Sequence, residues 1–166
     1  MRHSRTSEFW LSLIILVITV ITSFVFFVKW YSFIFFVGPY LFSHWFSLIG
    51  FILILIFVPI YYVLRRRRPR AIKMLLRIHV FGNLFSFLLI SSHFAQHLGR
   101  LAAIFPYIGS GIISFLILSI IVATGFLERF QIPRKMGRYT KIIHRYMAVL
   151  FYLIIFVHML HGFNVI

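Results

Sequence analysis

Long apolar runs, each closed by a turn signal or a basic cluster, set the pattern of this chain. Phe9 to Val28 is twenty residues without a charge, enough to cross ~30 Å of hydrocarbon as a helix. A short basic head, Met1 to Glu8, precedes it. No small-residue cleavage pattern follows the run, so a retained helix is expected and not a signal peptide. Lys29 to Tyr40 carries Trp30, Tyr31 and Tyr40 around Gly38 and Pro39, which predicts an interfacial turn with an aromatic belt. Leu41 to Leu64 is the second span, closed by Arg65 to Arg68, Pro69 and Arg70. The third helix is expected over Ala71 to Leu98. Lys73, Arg77, Asn83, Ser86, Ser91, Ser92, Gln96 and its histidines make it the least hydrophobic of the set. Such a helix must face protein or a bound group and not lipid. Pro106 to Leu127 is the fourth span. A second basic loop follows, Glu128 to Tyr139, and the fifth helix runs from about Thr140 onward.

Composition turns this pattern into a class. The 166 residues are 62% hydrophobic and only 11% charged, too little polar surface for a water-soluble domain. The expected fold is an all-α membrane protein of five transmembrane helices. Residues 1–41 form a basic head, first helix and interfacial turn. Residues 42–166 form a domain in which helices two to five make a four-helix bundle. Cysteine is absent, which excludes disulfides, thiolate-held iron–sulfur clusters and covalent c-type haem.

Charge gives the topology. Lys and Arg number 17 against two acidic residues, Glu8 and Glu128, and both glutamates are expected outside the spans. The basic residues sit at the ends of apolar runs, so they read as a membrane signal, and no nucleic-acid partner is expected. All of them except Lys29 and Arg100 fall on the side of the N-terminus and of the loops after helices two and four. The positive-inside rule makes that side cytoplasmic and the C-terminus external, in a multi-pass cell-membrane protein. The basic loops would face anionic lipid heads or an acidic partner subunit.

The candidate chemistry lies in the histidines. His79 and His93 are fourteen residues apart on the third helix, and His144 and His158 are fourteen apart on the fifth. Fourteen residues are nearly four turns and roughly 21 Å of rise, so each helix shows two imidazoles on one face at two depths. Helices three and five run in the same direction. His79 and His144 therefore share the inner level, and His93 and His158 the outer one. Haem iron takes two axial imidazoles in this way, giving an expectation of two non-covalent b-type haems, with irons about 20 Å apart. Arg77 and Arg145 lie near the inner pair and Arg100 near the outer one, as candidates for the anionic propionates. Gly111 and Gly125, also fourteen apart on the fourth helix, offer room where a flat macrocycle meets backbone. His97 and His161 lie one turn beyond the outer pair. Their separations from His79 and His144, eighteen and seventeen, do not match, so His93 and His158 are preferred as ligands. His97 and His161 are left as contacts to a propionate or substrate, or as wet interface residues. His44, near the outer end of helix two, is read as an interfacial histidine or as lining a quinone or outer substrate site.

These residues resemble known families. The paired histidines resemble the di-haem cytochrome b of quinol–cytochrome c oxidoreductases. Their placement on helices three and five more closely resembles the ferric reductase and NADPH oxidase transmembrane domain. The stretch Thr124-Gly125, Arg134 to Arg138, His144-Arg145 and His158 looks like the end of the fourth helix and the fifth helix of that group, and the likeness covers about residues 42 to 162. It implies an electron-carrying haem subunit of a larger oxidoreductase. The chain shows no Gly-rich dinucleotide fingerprint and no Pro-Glu-Trp-Tyr motif. A separate electron-donor subunit or a quinone is therefore expected as partner. Two other classes compete: a metal or small-solute transporter, and a structural membrane anchor whose histidines only pack. The transporter would have to work without Asp and without a broken-helix signal. The anchor predicts a colourless protein.

Overall fold

The five apolar runs become five helices that are each long and apolar enough to cross a membrane. The computed structural model describes residues 2–29, 33, 35–98, 109–132 and 137–162, with the side chains of 2–5 excluded. Helix α1 spans Arg2–Phe27. A two-stranded hairpin follows, β1 Phe36–Val37 and β2 Tyr40–Leu41. Then come α2 Phe42–Arg67, a 3-10 turn Pro69–Ala71, α3 Ile72–Leu98, α4 Gly109–Phe130 and α5 Gly137–Gly162. Trp30, Tyr31, Arg100, Pro106, Arg134 and Lys135 lie outside the described residues. The two glutamates sit on the helices and not beyond them: Glu8 near the start of α1 and Glu128 near the end of α4. Helix ends reach past the apolar windows because charged side chains can extend along an interface.

The helix boundaries follow from local chemistry. Apolar content fades at Leu64, yet α2 continues through Arg67. Arg65 lies over the Tyr61 and Tyr62 rings, and Arg66 over Tyr62, with the Arg66 guanidinium donating to the Tyr62 hydroxyl at 3.1 Å. These contacts hold the basic turn on the helix. It stops at Arg68, whose φ of −130° is the extended conformation imposed by Pro69. In the hairpin, Gly38 has a φ of +64° at the first position of a Gly38-Pro39 turn, which a side chain would oppose. Trp45 Nε1 donates to the Val37 carbonyl at 3.0 Å, and Phe35 stacks on Phe42 at 4.8 Å. The hairpin is thus tied to the start of α2. Helix α4 ends with Gln131 at φ +57°, while Gln131 and Ile132 donate back to Glu128 and Leu127.

The chain divides into two compact units, residues 1–99 and 100–166. In the first, α3 is central, with α2 and α1 both packed against it. In the second, α4 and α5 pack as a pair. Small polar residues fill the inside of each unit. Ser12, Ser43, Ser86, Ser91 and Ser92 are buried in the first, and Ser114, Thr124 and Thr140 in the second. Large apolar residues such as Val20, Phe24, Leu116, Tyr146, Val149 and Leu153 point outward. That is the arrangement lipid selects. Packing in a bilayer comes from close approach of small residues, because burial of apolar surface no longer drives association. Hydroxyls inside helices answer the dry surroundings by donating to the carbonyl four residues back, as Ser86 does to Gly82, Ser92 to Leu88 and Ser114 to Ser110, each at 2.8 Å.

Helix α3 has the lowest mean hydropathy of the five spans, as its polar sequence predicts. Its position between α1 and α2 supplies the protein surface those polar residues require. Its antiparallel pairing with α2 is close. A Cβ at Gly50 would stand 2.8 Å from Ile90 Cγ1 and 3.0 Å from the Ser86 carbonyl oxygen, and one at Gly82 would overlap the Phe57 ring.

Candidate histidine sites

In the second unit, α4 and α5 place histidine against glycine at two levels. A Cβ on Gly125 would lie 3.0 Å from His144 Cε1, and one on Gly111 would lie 3.1 Å from His158 Cε1. The two fourteen-residue spacings therefore belong together: the antiparallel pair brings 111 against 158 and 125 against 144. The sequence pattern alone predicts these glycines at the edge of a macrocycle. Within this unit they make room for the imidazoles themselves. Each ring lies half-buried, with its Cε1 edge close enough to the glycine that a methyl group there would press on it.

The Nδ1 atoms are anchored. His144 Nδ1 is 3.0 Å from the Ile121 carbonyl and 3.3 Å from Thr124 Oγ1. A carbonyl only accepts, so a neutral His144 carries its proton on Nδ1 and leaves the Nε2 lone pair available. Thr124 already donates to Ile120 at 2.7 Å, which turns its oxygen lone pairs toward the ring. His158 Nδ1 meets Ser110 Oγ at 3.1 Å.

In the first unit, His93 Nδ1 lies 3.0 Å from the Ser43 carbonyl, so in the neutral ring it too donates from Nδ1 and carries its lone pair on Nε2. His79 differs. Asn83 Nδ2 donates to the His79 carbonyl at 2.7 Å and lies 3.1 Å from its Nδ1. An amide nitrogen donates, so the neutral ring holds its proton on Nε2. Tyr61 stacks on this ring at 4.6 Å with planes 25° apart. Ligation through His79 Nε2 requires Asn83 to turn its carbonyl oxygen toward Nδ1. His93 and His144 thus carry the hydrogen bonding that fixes a metal-binding imidazole, and His158 is compatible with it.

The remaining residues separate. Arg77 Nε is held by Glu8 Oε1 at 2.5 Å, across α1 and α3, so part of this guanidinium is committed within the protein. Arg145 is exposed beside His144. Arg100 is outside the described residues. His161 is exposed, its Nδ1 meeting the carbonyl of Val157 at 3.1 Å, which suits the wet interface reading. His44 and His97 are half-buried. With His93 they form a half-buried cluster in which one ring nitrogen of each lies within 4.8 Å of the others. Sequence reasoning treated these three separately. The available signal was the four-residue step from His93 to His97, opposite a histidine at the start of the preceding antiparallel helix.

Comparison with protein-family models, with curated proteins and with solved structures finds no match to this chain.

Proposed function

We propose that this protein is a membrane-integral b-type cytochrome that carries electrons across the bilayer, as the haem subunit of a larger oxidoreductase. Helices α2 to α5 would assemble as the haem-binding bundle. His79 and His144 would ligate the inner of two non-covalent haems, and His93 and His158 the outer one. When bound between two imidazoles, haem supplies reversible one-electron chemistry at a low-spin iron. The chain's own residues prepare the ligands. Ser43 and Ile121 carbonyls hold Nδ1–H on His93 and His144, keeping Nε2 as the donor atom. Thr124 and Ser110 fix ring orientation. Arg145 and Arg100 are the basic residues assigned to the propionates.

The observation that carries this reading is the doubled histidine–glycine register of α4 and α5. An imidazole that merely packs in a membrane needs one hydrogen-bond partner and no special neighbour. Two imidazoles fourteen residues apart, each seated against glycine and each anchored through Nδ1, are a repeated ligand geometry. The partners are membrane lipid and a separate electron-donor subunit or quinone. The N-terminus and the two basic loops face the cytoplasm of a cell membrane, and the C-terminus faces out.

Single-histidine variants test the assignment. His79→Leu and His158→Leu should each lose one haem of two and retain the other. Retention of both haems in either variant rejects that residue as a ligand.

A further inference from the structure

We propose that His44, His93 and His97 form a binding site for one first-row transition-metal ion, a ligand set that shares only His93 with the bis-histidine pairs. The site lies wholly within the first unit, where the start of α2 meets the end of α3. His93 and His97 stand one turn apart on α3, with ring centroids 4.4 Å apart. His44 of α2 closes the group at 5.2 Å from His93 and 4.9 Å from His97.

The geometry suits a metal ion. Tetrahedral zinc with bonds of about 2.0 Å needs ligand nitrogens roughly 3.3 Å apart. The candidate nitrogens lie within 4.8 Å of one another, a gap that small side-chain rotations close. His93 has its Nδ1 on the Ser43 carbonyl, which puts the lone pair a metal needs on Nε2. The half-buried His44 ring has the Leu41 backbone beside it as a hydrogen-bonding neighbour, and its other ring nitrogen can face the ion. Three neutral imidazoles favour Zn²⁺, Cu²⁺ or Ni²⁺ over Mg²⁺ or Ca²⁺, which need oxygen ligands. Three ligands leave one coordination position open for water or an exogenous anion.

The proposal stands without the haem reading and meets it at His93, whose Nε2 can serve one metal at a time. An ion held by all three imidazoles and a haem on His93 therefore exclude each other.

Zinc, which has no redox chemistry to confuse with haem, is the probe. Equilibrium dialysis against buffered Zn²⁺ would be run on the full-length chain in detergent, with haem counted on the same samples. The His158→Ala variant removes the opposing haem ligand and frees His93, so it should bind one zinc per chain. That binding should vanish when His44→Ala, His93→Ala or His97→Ala is added, and persist with His161→Ala. X-ray absorption should show three imidazoles around the ion, a readout that does not depend on any variant folding. Zinc binding that survives loss of His44 or His97 overturns the site, as does zinc bound in addition to two haems, or no zinc in the His158→Ala chain. If the haem reading alone is wrong, wild type and His158→Ala are both colourless and both still bind zinc.

Discussion

At the residue scale the proposed function depends on how the imidazoles are held. His144 cannot move away from α4 without losing its bond to the Ile121 carbonyl, and a Cβ on Gly125 would stand 3.0 Å from its ring. Gly125→Ala should therefore strain the site, costing about 1–3 kcal/mol by overpacking, and should lower haem occupancy at the inner level while sparing the outer one. Gly111→Ala should do the converse through His158. Haem per chain in the two variants checks both. Thr124→Val removes a hydroxyl beside His144 but leaves the carbonyl in place. It should shift the potential of one haem without removing it, read by a redox titration. The spacing of these residues was legible in the sequence, because helical geometry fixes rise and azimuth. Two things were not. That glycine would seat the imidazole itself depends on antiparallel register, which no single helix specifies. The Asn83 contact to His79 and the grouping of His44 with His93 and His97 depend on side-chain rotamers and on the α2–α3 register.

At the element scale α3 is the helix that most needs neighbours. Its buried serines and its low mean hydropathy are stable only where backbone and side chains from α1 and α2 exclude lipid. Gly50 permits the close approach of α2. Gly50→Val would drive side-chain atoms into Ile90 and the Ser86 carbonyl, and should cost ~2 kcal/mol or more, seen as a lower midpoint of thermal unfolding in detergent. The Glu8–Arg77 pair is a weaker tie between α1 and α3. Arg77 is half-exposed, so Glu8→Gln should cost at most about 1 kcal/mol. The helices themselves were readable from hydropathy, since a run of apolar residues long enough to span has few other folds. Their ends were not, because the Arg65 and Arg66 contacts to Tyr61 and Tyr62 extend α2 beyond its apolar stretch.

At the scale of the whole molecule the fold is an all-α membrane protein with five spanning helices, and its exposed apolar faces and buried hydroxyls agree with that class. The proposed orientation rests on the basic residues at the helix ends. Reporter fusions in the loop after α2 and in the loop after α4 should both report a cytoplasmic location. Neutralising Arg65 to Arg68 should weaken that bias. The central claim is that paired histidines on α3 and α5 hold haem. The measurement that tests it most directly is a reduced-minus-oxidised visible spectrum of the purified protein, with a pyridine haemochrome count per chain. The account predicts a b-type spectrum and two haems per chain. A protein that stays colourless after expression with ample haem would contradict it.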